Sequence, residues 1–169
     1  MKALILSLLV VATHNLYAQS QFEVIGTGQD KTLKGLVNRN DIASDSSFKW
    51  FSANQAGYKV NNLTVDALKN HKDSIQILAF GGTWCHDTQF ILPKFFTMVD
   101  AAKFPEKQIT IIGVDEQKHS LGNLAEAMAV INVPTFIVMK NGKEIGRVVE
   151  YGKTGQWDKE IGEVINASY

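Results

Sequence analysis

Residues 75–88 constrain this chain more than any other stretch. The apolar run Ile75, Ile77, Leu78, Ala79 and Phe80 passes through Gly81, Gly82 and Thr83 into Trp84-Cys85, and then straight into an amphipathic helical pattern. A short apolar run of this kind is a strand buried on both faces, which requires a sheet covered by helices. The change from strand period to helix period also sets the sulfur of Cys85 over the unpaired amides of a helix's first turn, where the macrodipole favours a thiolate. One stretch therefore predicts both an α/β layer fold and the position of its chemistry.

The chain beyond this junction continues the alternation. Phe90, Ile91, Phe95, Phe96 and Val99 recur at helical spacing with Pro93 inside the pattern. A proline there lacks its amide and crowds the preceding turn, so a bend is expected over 89–93. Residues 109–114 read as a second buried strand and 121–130 as a short, alanine-rich helix. Residues 133–139 form an apolar strand entered through Pro134, which suits a strand's first residue or a cis peptide. Asn141-Gly142 marks a tight hairpin, so 144–151 is the antiparallel partner strand. The end, 154–167, is an amphipathic helix with Trp157, Ile161, Val164 and Ile165 on its buried face. This order gives a central mixed sheet flanked by helices.

Signals ahead of residue 74 are weaker. Residues 19–40 read as a short strand and a loop, Asp41 as an N-cap or first-turn acid, and 44–55 as a helical window that Gly57 ends. The aromatic cluster Phe48, Trp50, Phe51 and Tyr58 reads as a core wedge, and Thr64 as the cap of a short helix through Leu68. The first residues are of another kind: Met1-Lys2 is positive, 3–12 is almost continuously apolar, and Ala18 offers a small residue at a cleavage point. About ten apolar residues are too few to span a bilayer, which needs about 20. The expected organisation is a signal peptide at 1–18, an N-terminal extension packing on the domain at 19–73, and the α/β domain at 74–169. The mature protein is expected in a periplasm or outside the cell, with no integral membrane segment after cleavage.

Lysine plus arginine and aspartate plus glutamate stand at 17 each without a run of five like charges, so nothing favours nucleic acid or an anionic membrane as partner. Cys85 is the single cysteine. No internal disulfide can form, and a cysteine-based metal site is not expected, since structural zinc wants several close ligands. In an exported protein a lone cysteine is either a free reactive thiol or a buried bystander.

The residues resemble the thioredoxin superfamily. Phe80 through Trp84-Cys85, the helix carrying Pro93, Val133-Pro134-Thr135-Phe136, and Asn141-Gly142-Lys143 followed by Gly146 stand in that family's order. The resemblance covers 74–167, while 20–70 resembles the N-terminal extension of exported bacterial members. It implies a thioredoxin-like fold with an N-terminal helical extension. By the same resemblance Cys85 is the attacking cysteine, Trp84 flanks the thiol and Pro134 is the cis-proline facing it. Val133 is the position whose backbone pairs with a bound substrate strand. Two departures accompany these matches: Cys85-His86-Asp87-Thr88 stands in place of Cys-x-x-Cys, and Ala79 occupies a position where the family often carries a buried acid. Both losses fall on the resolving half of the reaction.

Thr88 cannot resolve a mixed disulfide, but one helical turn from Cys85 its hydroxyl is placed to donate to the thiolate. Protonated His86 favours the thiolate as well, and Asp87 opposes it while suiting the helix N-terminus. The candidate site is therefore Cys85 and Thr88 for chemistry, and Trp84, His86, Val133 and Pro134 for substrate. No metal is expected, because neighbours on one helical turn point about 100° apart and rarely converge on an ion. No cofactor is implied, because thiol chemistry of this kind needs none. Two functions stand side by side: monothiol exchange with client proteins or small thiols through mixed disulfides, and a non-catalytic module binding through the groove at Val133 and Pro134.

Overall fold

In the computed structural model, which describes residues 21–167, six strands form one mixed sheet. The strands are β1 (Phe22–Ile25), β2 (Thr32–Val37), β3 (Ile75–Gly81), β4 (Ile109–Gly113), β5 (Thr135–Lys140) and β6 (Lys143–Val149), in spatial order β1-β2-β4-β3-β5-β6. Only β3 and β4 run parallel; every other neighbouring pair is antiparallel. The helices are α1 (Arg39–Ala43), α2 (Trp50–Gln55), α3 (Asn62–His71), α4 (His86–Ala102), α5 (Leu124–Ala127) and α6 (Trp157–Asn166). None of these helices is long and apolar enough to cross a membrane. The expected signal peptide lies outside the described residues.

Side-chain alternation along β3 explains why its sequence is continuously apolar. Ile75, Ile77 and Ala79 enter a large cluster shared with Phe51 of α2, Leu68 of α3, Phe95 and Phe96 of α4, and Ile161 of α6. Leu78 and Phe80 face the other way, into a smaller cluster with Ile112, Ala125, Val133 and Ile137. Period-2 geometry thus buries both faces of the strand, one under several helices and the other under the short α5. Phe95 anchors the larger core, its ring centroid 4.7 Å from Phe136 and 5.4 Å from Phe96. Burying one such ring stabilises the fold by about 1.5–3 kcal/mol.

The stretch before residue 74 holds more than the expected strand, loop and helices. It contributes two strands, and β2 pairs directly with β4, Gly35 standing opposite Gly113. Leu33 and Val37 bury themselves in the main core, so this stretch belongs to the sheet as well as packing helices on it. The helical window 44–55 is split into a 3-10 turn, Ser46–Phe48, and α2. Asp41 is a first-turn acid; the N-cap is Asn38, and the two form a reciprocal capping box. Asn61, not Thr64, caps α3. Thr64 is fully buried and instead joins two helices, donating to the Asp158 carbonyl and accepting from Gly162 N–H at 3.2 Å. The helix expected at 121–130 shortens to a 3-10 turn and α5, because Gly122 and Asn123 adopt positive φ.

Pro93 leaves α4 a single helix element from His86 to Ala102. The missing Pro93 amide deprives the Gln89 carbonyl of its helical donor. Asn54 of α2 supplies the replacement, its Nδ2 donating to Gln89 O at 3.1 Å. Tertiary packing thereby meets a cost that the local sequence leaves open.

Candidate functional site

The site begins where β3 ends. Val114 N–H donates to Gly81 O at 3.0 Å, and Cys85 N–H closes a turn onto Gly82 O at 2.9 Å. Gly82 is required by close approach: a Cβ there would lie 2.4 Å from the Trp84 indole nitrogen. Without it the indole lies on the backbone and its Nε1 donates to Val114 O at 3.0 Å. Cys85 is the N-cap of α4, with extended backbone at φ −81° and ψ 122°, and its carbonyl accepts the first helical bond from Gln89 N–H at 2.9 Å. The sequence-predicted junction of strand, thiol and helix is formed by these bonds.

The Cys85 sulfur is half-buried, and its Sγ–H donates to the Val133 carbonyl at 3.3 Å. Only protonated sulfur can donate that bond. The Val133–Pro134 peptide is cis, and the structure brings Cys85, Trp84, Val133 and Pro134 to one place at the ends of β3 and β5. His86 is exposed, and with Trp84 it borders an open cleft of about 770 Å³ whose far wall is built by Asp30, Lys49 and Trp50.

Thr88 is placed differently from expectation. It is buried, and its Oγ1 accepts from Gly82 N–H at 3.3 Å. With the sulfur protonated and donating to the Val133 carbonyl, no bond runs from Thr88 to it; the hydroxyl instead serves as acceptor for the Gly82 amide, which is buried at the turn and needs one. Thr88 also presents its Cγ2 to Gly81, where a Cβ would come within 2.8 Å. Beside it lies an apolar void of about 10 Å³ lined in part by Leu33, Ile111 and Gly113. Ala79 is buried in the main core, with Ile111 and Phe136 as its partners on the neighbouring strands.

Several residues that sequence reading passed over support this arrangement. Thr83 is buried and pegs the motif to β2: its hydroxyl donates to Lys31 O at 2.9 Å and accepts from Leu33 N–H at 3.2 Å. Gln89 Nε2 donates to the Thr83 carbonyl at 2.8 Å, tying the same turn to α4. Tyr151 donates its hydroxyl to Asp87 Oδ1 at 2.9 Å. On the other flank Lys34 pairs with Asp115 at 2.7 Å. Burial pushes the Asp115 carboxyl up, but the Lys34 ammonium and the His119 amide outweigh it and hold the group below its ordinary range. A threonine two positions before the cysteine was the only sequence signal for Thr83; Tyr151 left none.

The chain matches the family model described as thioredoxin over residues 44–158. It is 32% identical over 102 residues to thioredoxin H2-2 of Oryza sativa subsp. japonica, covering 60% of this chain and 71% of that protein. With thioredoxin H2 of Arabidopsis thaliana it shares 26% identity over 143 residues, covering 83% of this chain and 93% of the relative. Among solved structures, thioredoxin O2 from Arabidopsis thaliana in its oxidised state aligns at a TM-score of 0.35 and 24% identity, covering 54% of this chain and 78% of that one.

Proposed function

The chain belongs to the thioredoxin family, and on that premise we propose that it is an exported monothiol exchange protein acting through Cys85 alone. The Cys85 thiolate attacks one sulfur of a client disulfide, a new S–S bond forms, and the other client sulfur leaves as a thiolate. An external thiol then attacks the mixed disulfide and frees Cys85. Clients are disulfides of exported proteins or disulfides that small thiols form. Export is supported by the charge and apolar pattern of residues 1–18 in the sequence.

One observation carries the reading. Cys85 is the N-cap residue of a 17-residue helix, its half-buried sulfur makes no capping bond and lies against the Val133 carbonyl beside the cis peptide, and position 88 holds a buried threonine engaged with Gly82. Attack is provided for and internal resolution is not. A second reading draws on the thiol's bond to Val133 O, which belongs to the neutral sulfur. In that reading the groove at Val133 and Pro134 binds a peptide or partner without covalent exchange.

Trapping of mixed disulfides in the exported fraction separates the two. The native chain is expected to yield adducts that a reducing agent releases and that are absent with Cys85→Ser. Equal recovery of partners from both chains supports binding without exchange.

A further inference from the structure

Asp87 lies in the first turn of α4, two positions after Cys85. A carboxylate there suits the helix N-terminus, yet its charge raises the cost of forming a thiolate beside it. Tyr151, on the turn after β6, reaches Asp87 across 64 residues of sequence and donates to Oδ1 at 2.9 Å. Two further contacts hold it there. Its ring centroid stands 6.3 Å from that of Phe90, one turn along α4 from Asp87. The preceding residue anchors the backbone, Glu150 N–H donating to Pro134 O at 2.7 Å. Glu150 and Tyr151 together therefore link the proline loop to the first turn of α4, the two elements that bracket the sulfur.

We propose that Tyr151 is a positioning residue for thiolate formation at Cys85, its hydroxyl binding the Asp87 carboxylate and holding that negative charge off the sulfur. The inference rests on the reading of Cys85 as the attacking thiol. Burial, the bond to Asp87 and the nearby charges of Asp87, Cys85 and Glu150 all push the Tyr151 phenol above its ordinary range. The donor thus stays protonated while a thiol titrates. The other charged groups around the motif are His86 and Glu116, both exposed, Asp30 and Lys49, exposed on the far wall of the cleft, Glu150 beside Tyr151, and Lys118, whose Nζ is 5.4 Å from the Trp84 ring centroid. Screening by water weakens the exposed ones, whereas Asp87 acts from a fixed position.

The test is the rate of alkylation of Cys85 by iodoacetamide in the full chain across about pH 5 to 9, where thiols of this class titrate. Tyr151→Phe keeps the ring against Phe90 and removes the hydroxyl. It is expected to slow alkylation near neutral pH roughly threefold and to move the profile to higher pH. Asp87→Asn is expected to shift the profile the other way and to abolish the effect of Tyr151→Phe when the two are combined. An unchanged profile in Tyr151→Phe overturns the proposal, whether or not the melting temperature falls, and so does equal slowing in both backgrounds. Mixed-disulfide trapping keeps the two readings apart. Cys85-dependent adducts with an unmoved profile sink the positioning role alone, and a native chain without adducts sinks the exchange reading.

Discussion

Cys85 and Thr88 stand one helical turn apart at the start of α4, and their surroundings are opposite. Cys85 is half exposed, sits outside the helix proper as its N-cap, and bonds to a carbonyl of the facing loop. Thr88 is buried inside the first turn and bonds to a buried amide of its own motif. The contrast separates two tasks that a Cys-x-x-Cys pair performs together. In the proposed reading the exposed position serves attack, while the buried one holds the turn before the helix together.

Thr88→Cys breaks the comparison most directly. A second thiol at the buried position supplies a resolving group, and cysteine places one γ atom where threonine has two, Oγ1 and Cγ2. Reduction of a protein disulfide by dithiothreitol is expected to speed up on the order of tenfold or more relative to the native chain. A folded variant with the native rate would place the block at Ala79 or in the groove instead. Thr88→Val sharpens the comparison by removing only the acceptor for Gly82 N–H. Leaving that amide unpaired should cost about 1–2 kcal/mol in urea unfolding, with the alkylation profile of Cys85 unmoved. A shifted profile at unchanged stability would return the Thr88 hydroxyl to the sulfur. Cys85→Ser is the smallest perturbation of the fold. Unfolding free energy should stay within about 0.5 kcal/mol of the native value. A larger loss would make the sulfur's packing against the smaller core cluster a structural contact.

Much of the fold was legible because its determinants are local. Apolar runs at strand period located β3, β4 and β5, and Asn141-Gly142 located the hairpin between β5 and β6. The thiol at a helix N-terminus was legible for the same reason, since strand, Trp-Cys and helix follow one another without a gap. Legibility failed where a partner comes from far along the chain. Nothing near residue 32 announces that β2 will pair with β4, and nothing near Thr83 announces the backbone of Lys31 and Leu33. The helix window at 44–55 failed for a different reason: Asp45 accepts from Ser47 N–H and starts a separate 3-10 turn, a local competition that hydrophobic spacing does not register.

The sequence alone determined the α/β order of elements, the seat of Cys85 at the head of α4, and the presence of Thr88 and Ala79 at the positions where the family resemblance implies a thiol and an acid. Those follow from side-chain period, turn sterics and residue identity, which are properties of neighbouring residues. Only the tertiary structure decided what each group at the site meets. The sulfur meets Val133 O across 48 residues, Thr83 meets Leu33 across 50, and Tyr151 meets Asp87 across 64. Hydrogen bonds are directional and short, so a polar group's partner is set by where the folded chain returns, and no periodicity along the sequence encodes that address.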